Sequence, residues 1–239
     1  MQFQQVIKAD SARKILDVLD PIVAVAGKDG SFILTFSSSS VSCTVKDESS
    51  VMMCMMEADM TGSQYSPSCI SPLEIPARPI VEALKAVGDE EEVVIGVTAS
   101  GQVLVATESR RRVFNSLKAG NVPKSIPFSP EVEVNLTKDQ LGRLSGLERI
   151  GETVYMQVSA GSLRIMTAGD TETDEIIIPT MAVSDAKTAV GATYLTDIVK
   201  RIRADIAELG FSNNSLFRLA FSTGCARFNV LIAPRVESE

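Results

Sequence analysis

The stretch EVEVNLTKDQLGRLSGLERIGETVYMQVSAGSLRIMTAGD, residues 131–170, decides the fold. EVEVNL alternates apolar and polar residues and reads as a strand. Thr137 then suits a helix cap, and Leu141, Leu144 and Leu147 make one apolar stripe on a helix near 138–147. TVYMQVS and SLRIMTA follow as two strands joined by a turn that contains Gly161. The unit is therefore strand, helix and two strands.

Read outward, the same order recurs four times, with helix starts roughly 60 residues apart. The first copy is FQQVI, a helix near 9–19 with Ile15, Leu16 and Leu19, then PIVAVAG, Gly30 and SFILTF. Asp10 suits this helix start. The second is CISPLEI, a helix near 77–87 that opens after Pro76 and carries Ile80, Val81 and Leu84, then EVVIGVT, Gly101 and QVLVATE. The fourth is AKTAVGA, a helix near 194–208 with Thr193 as cap and Leu195, Ile198 and Ile202, then LFRLAFS, Gly224 and ARFNVLIA. Between the second and third copies, SLKAGNVPKSIPFSP holds Gly120, Pro123, Pro127 and Pro130, which oppose both helix and central strand. The expected class is α+β: two similar domains, 1–116 and 130–239, joined by a connector at 117–129. Each domain is two β-α-β-β units whose helices cover one face of antiparallel sheet.

The 239 residues are 45% hydrophobic and 22% charged, with mean hydropathy +0.16. They contain no histidine and no tryptophan. The missing histidine excludes Ser-His-Asp and Cys-His nucleophiles and mixed Cys/His zinc sites. Neither a G-x-x-x-x-G-K-[ST] loop nor a G-x-G-x-x-G turn is present. Asp170, Glu172 and Asp174 start a calcium-loop spacing. Glu175 then stands in place of the turn glycine and Met181 in place of the closing glutamate, so an exposed acidic hairpin is expected. Cys43, Cys54, Cys69 and Cys225 form no C-x-x-C pair and read as free buried thiols, and VMMCMM, residues 51–56, reads as a buried or half-buried strand. No catalytic residue, metal ligand or cofactor is expected. The absence of a signal stretch and of a long apolar window points to a cytosolic, non-membrane protein.

Charge is unevenly spread. The chain carries −7, yet segments 10–20, 76–88, 137–150 and 193–204 hold 10 basic and 7 acidic residues. Arg13, Lys14, Arg78, Lys85, Lys138, Arg143, Arg149, Lys200, Arg201 and Arg203 supply the positive side. Shared on one surface, they form a basic face that contacts phosphates without reading bases. Taken helix by helix, they also fit ordinary solvated faces.

In the order of FSSSSVSCTVKDESSVMMCMM, ALKAVGDEEEVVIGV, residues 137–170 and the terminal VLIAPRVESE, the chain resembles the DNA polymerase sliding clamps of the proliferating cell nuclear antigen type. The connector PKSIPF is also similar to that of tailed-phage clamps, which leaves a viral member open. The resemblance implies a homotrimeric ring lined by helices, which encircles duplex DNA as a processivity factor in replication and repair and does not itself catalyse a reaction. It places the ten basic residues facing DNA, without sequence preference. The implied partners are a replicative polymerase, a clamp-loader ATPase, a nuclease and a ligase that dock short peptides. Their pocket maps to Val45, Val51, Ile126, Pro127, Ala233, Pro234 and Val236. Ring closure maps to two edge strands, with Arg112, Val113, Phe114 and Leu117 on one and Glu175, Ile176, Ile177 and Ile178 on the other. The implied location is the cytoplasm at the nucleoid, or the nucleus in a eukaryote.

The sequence departs from the family pattern at Ser50, where many members carry histidine, and along the first helix, where Asp10, Asp17 and Asp20 offset the basic residues. Arg110, Arg111 and Arg112 fit a phosphate contact, an intersubunit ion pair or a solvated hairpin. Two other readings stay open. One is a monomeric or heteromeric clamp-like subunit that holds DNA by charge, and the other is a structural assembly protein without DNA.

Overall fold

The computed structural model describes residues 3–9, 11–61, 72–87, 91–98, 100–117, 119–182 and 184–235, without the side chains of 3–6. The chain divides into two compact units. The first takes residues up to 48, 54–125 and 223–227, and the second takes 49–53, 126–222 and 228 onward.

In the first unit, β1 (Phe3–Ala9) leads into α1 (Ala12–Ala26), then β2 (Ser31–Phe36), β3 (Ser40–Lys46) and β4 (Met52–Asp59). A second series follows: β5 (Leu73–Pro76), α2 (Ala77–Lys85), β6 (Val93–Thr98), β7 (Gln102–Ala106) and β8 (Arg111–Asn115). The second unit repeats the plan with β9 (Val132–Thr137), α3 (Lys138–Leu144), a 3-10 turn (Leu147–Arg149), β10 (Thr153–Ser159), β11 (Ser162–Ala168) and β12 (Thr173–Pro179). It ends with β13 (Ala186–Gly191), α4 (Ala192–Val199), β14 (Ile206–Phe211), β15 (Phe217–Thr223) and β16 (Ala226–Ile232). The repeat is thus β-α-β-β-β, one strand longer than the β-α-β-β read from the sequence. Of the added strands, β8 and β12 are the edge strands that the resemblance implied, whereas β14 was read in part as helix, because the fourth helix was expected to run to 208.

Each series lends its leading strand to the other. β1 pairs antiparallel with β6 to give the order β1-β6-β7-β8, whereas β5 pairs with β2 in the order β5-β2-β3-β4. Likewise β13 joins β10 in the order β12-β11-β10-β13, and β9 pairs with β14 beside β15 and β16. The exchange interlocks the two series of a unit through backbone bonds. Alternation fixes the register: in β9, Val132, Val134 and Leu136 are buried, while Glu133, Asn135 and Thr137 face out.

The first helix is longer than its expected 9–19. PIVAVAG, expected as a strand, is helical through Ala26, with Pro21 inside the helix. Leu19, Ile22, Val25 and Ala26 recur at helical spacing on the buried side, and this burial outweighs the helical bond that proline cannot make. Periodicity does not separate a short apolar run in a helix from one in a strand. The first-copy turn follows suit: the β2–β3 hairpin uses Ser37–Ser40, with the Ser37 amide donating to the Ser40 carbonyl at 2.9 Å. The fourth helix is shorter than its expected 194–208. It ends at Val199, where Arg201 and Ile202 donate to carbonyls three residues back, Ile198 and Val199, and the chain then turns into β14.

Of the expected caps Thr137 is present, whereas Thr193 lies inside α4, which starts after Gly191 without a side-chain cap, and Asp10 lies outside the described residues. The Ser11 hydroxyl accepts from the Arg13 amide at 3.1 Å, so α1 starts after Ser11. Thr137 and Gln140 form a reciprocal capping box at α3, with bonds of 2.8 and 3.4 Å. Gly101 and Gly161 close the β6–β7 and β10–β11 hairpins at φ near +77° and +74°, a region that L side chains rarely adopt. In the first unit, α1 packs on β2, β3 and α2 over a core that includes Ile22, Phe32, Phe36 and Ile75. In the second, α3 packs on α4, β9 and β14, and Phe221 stacks on Phe228 with centroids 4.8 Å apart.

Candidate nucleic-acid and partner-binding surfaces

The helices bury their apolar stripes and leave their basic residues outside. Arg13 and Lys14 lie exposed on the first turn of α1, and Arg78 and Lys85 on α2. Lys138 and Arg143 lie exposed on α3, with Arg149 at the end of the 3-10 turn. Lys200 is the exposed C-cap that follows α4. Because α4 is short, Arg201 and Arg203 stand on the turn after it rather than on a helix face. Arg201 is half-buried, and the Arg203 guanidinium donates to the Lys200 carbonyl at 3.4 Å. Nine of the ten expected cations are exposed, with Arg201 the exception.

Acidic neighbours are woven into this set. Arg13 pairs with Asp17 one turn on at 3.3 Å, Arg78 pairs with Asp29, and Lys200 Nζ lies 2.5 Å from Glu148 Oε1. Asp29 and Glu148 were not singled out by the sequence, since they pair across 49 and 52 positions and no local spacing marks them.

The expected closure strands lie at sheet edges. Among the described residues, β8 pairs only with β7 and β12 only with β11 within their sheets. On β8, Arg112 and Val113 are exposed, the latter by 44%, and Phe114 is half-buried. Leu117 is also exposed, and its amide donates to the Glu74 carbonyl at 2.9 Å. On β12 the pleat separates the four named residues. Glu175 and Ile177 face out, Ile177 by 52%, while Ile176 and Ile178 are buried in the unit's own core. Arg110, next to β8, donates through its guanidinium to the carbonyl of Ala86 at the end of α2, a favourable place for a cation.

The pocket residues divide differently. Val45 is a core residue at 4% exposure, because the β3 pleat turns Val41, Cys43 and Val45 inward. Val51 and Ala233 are brought together, with the Ala233 amide donating to the Val51 carbonyl at 2.8 Å. Pro234 is half-buried, and Ile126 (43%) and Pro127 are exposed on the connector. Val236 lies outside the described residues. Arg235, missed from sequence, anchors the tail: its amide donates to Ala189 at 2.8 Å and its guanidinium to the carbonyl and carboxylate of Glu152 at 3.0 Å. The connector is fastened at its start, where Glu74 accepts from the Ser31 hydroxyl at 2.5 Å and from the Gly120 amide at 3.1 Å.

Burial pushes the Cys43 thiol up to about 12, and burial with the neighbouring Cys43 raises Cys54 well above the usual range, so neither offers a thiolate near neutrality. Cys225, expected to be buried, is instead exposed, because it stands on the β15–β16 turn, and Cys69 lies outside the described residues. Asp59 is held below the usual carboxylate range by the side chain and amide of Thr61. The Asp170–Glu172 segment is an exposed turn between β11 and β12, and among the described residues no three metal-ligating side chains converge. No helix among them is long and apolar enough to cross a membrane.

No protein-family model matches the sequence, and no curated protein matches it. Solved structures do. A. fulgidus proliferating cell nuclear antigen bound to the C-terminal region of FEN-1 superposes with a TM-score of 0.87 at 15% identity, covering 98% of this chain and 100% of that one. The same antigen from Entamoeba histolytica superposes at 0.88 with 13% identity and the same coverage. The chain has the sliding-clamp fold. Identity this low leaves shared packing rather than shared side chains as the basis of the likeness. Both superpositions extend over nearly the whole chain and so take in both units.

Proposed function

We propose that the protein is a DNA sliding clamp, a non-catalytic ring of three copies that encircles duplex DNA and tethers replication and repair enzymes. The observation that carries this reading is the placement of the basic residues. In a chain of net charge −7, exposed cations gather on or beside the four helices of a clamp fold. A duplex carries one negative charge per about 1.7 Å, so such a surface binds it without reading sequence. Arg13, Lys14, Arg78, Lys85, Lys138, Arg143, Arg149, Lys200, Arg201 and Arg203 are the proposed contacts.

In the same proposal, residues 1–116 and 130–239 are the two clamp domains and 117–129 the connector. The edge of β8, with Arg112, Val113, Phe114 and Leu117, pairs with that of β12, with Glu175 and Ile177, on the next copy. Ile176 and Ile178 support the β12 edge from inside. Partner peptides from a polymerase, loader, nuclease or ligase seat on Val51, Ile126, Pro127, Ala233 and Pro234, with Val236 beyond. An A. fulgidus clamp holding the C-terminal region of FEN-1 supports this peptide mode. Work on DNA places the protein at the nucleoid, or in the nucleus of a eukaryotic host.

The test joins mass and binding. Light scattering across a dilution series is expected to give about 77 kDa, three times the 25.6 kDa chain. Replacing Lys200, Arg201 and Arg203 by alanine is expected to keep that mass and to weaken duplex binding about tenfold or more at moderate salt. Unchanged DNA association, or a mass that stays at one chain, overturns the corresponding part of the reading.

A further inference from the structure

Three of the proposed DNA contacts are already engaged by carboxylates: Arg13 by Asp17, Arg78 by Asp29 and Lys200 by Glu148. In both units an acid just after the first helix reaches a cation on, or at the end of, the second. Asp29 follows α1 and meets Arg78 on α2, while Glu148 follows α3 and meets Lys200 at the end of α4. Pairs between partly exposed side chains contribute little to folding, so stability gives weak reason for acids on a surface that meets phosphates. Their effect on a polyanion is direct. Each carboxylate occupies a cation that a phosphate would take, and it repels the phosphate itself.

Resting on the proposed DNA contact, we propose that Asp17, Asp29 and Glu148 are affinity-limiting residues, which hold part of the basic surface in internal ion pairs and so keep the grip on duplex DNA weak enough for sliding. Each pair removes one cation from the count of phosphates neutralised. The salt dependence of binding therefore reports how many cations are withheld, since log K falls with log salt by about 0.9 per phosphate contact.

The test replaces each acid by its amide, which retains an acceptor for the cation and removes only the charge. Binding of a short linear duplex, from which the protein can slip freely, is followed by fluorescence anisotropy between 50 and 200 mM salt. Glu148→Gln is expected to bind more tightly at low salt, with a slope steeper by up to about 0.9. Asp17→Asn, Asp29→Asn and Glu148→Gln together are expected to steepen it by up to about 2.7, and each restored cation adds up to about 3.5-fold to the loss over that fourfold salt range. A control triple variant, Asp170→Asn, Glu172→Gln and Asp185→Asn, changes net charge equally at exposed positions away from the helices and is expected to keep the wild-type slope. Equal gains in control and test variants, or no gain in the test variant while wild-type binding remains salt-sensitive, overturn the inference and leave the DNA contact standing. Absence of duplex binding in wild type and variants alike overturns both.

Discussion

Val45 and Val51 stand six residues apart around the β3–β4 turn, and the pleat gives them different work. Val45 points into the first unit at 4% exposure, whereas the Val51 carbonyl accepts from Ala233 in the tail. Truncating Val45 removes two buried methyl groups and leaves a cavity, so Val45→Ala is expected to lower unfolding free energy by about 2 kcal/mol. It is expected to leave the affinity for a synthetic peptide of the FEN-1 C-terminal region unchanged. Ile126→Ala with Pro234→Ala should do the reverse, weakening the peptide by about tenfold at unchanged assembly mass. That loss is about 1.4 kcal/mol, in the range of a truncated apolar anchor. Urea titration and peptide anisotropy on both variants check the pair. Equal peptide affinity in the double variant sinks the pocket, and a loss of affinity with Val45→Ala would return that residue to it.

At the scale of elements, most of the repeat was legible because apolar period and turn chemistry are local signals. The Gly161 hairpin and the Thr137–Gln140 cap lie where the residues imply them. The run Pro21–Ala26 was not legible as helix, since its burial depends on β2, β3 and α2, which the window does not contain. The exchange of β1 and β5, or of β9 and β13, was equally hidden: alternation tells which face is buried but not which strand lies alongside. Among site residues, helix cations showed themselves by composition, but partners such as Asp29 and Glu148 are set by tertiary approach. The edge strands carry their own prediction. Unpaired edges recruit partners, and an introduced charge on the exposed face of such a strand blocks pairing. Ile177→Asp would stand on β12 in line with Glu175, so a like-charge patch forms on the proposed joint. The expected result by light scattering is a fall from about three chains to one, with the circular dichroism of the folded chain retained, because Ile177 is 52% exposed. A mass that stays at three chains would show that β12 does not form the joint.

For the whole molecule, the proposed function raises the question of how a chain of net charge −7 would stay on a polyanion. Two holds are available, and salt separates them. Contact of lysine and arginine with phosphates weakens steeply as salt rises, because binding releases condensed counterions. Closure around the duplex has no such dependence: an intact ring leaves only by opening or by running off an end. With about six to ten phosphate contacts, a rise from 50 to 200 mM salt alone would cost a charge-held protein about 10³–10⁵ in affinity. In the proposed clamp, the paired state of Arg13, Arg78 and Lys200 would lower that contact count further and shift the burden toward closure. Subunits reassociated from dilute solution in the presence of a nicked circular duplex are therefore expected to co-elute with the circle in gel filtration at 0.2 M salt. Cutting the circle once should release them at the same salt, while on uncut circles Ile177→Asp should fail to be retained. Retention that is equal on cut and uncut DNA would mean that charge does the holding, and the ring would then be the wrong picture.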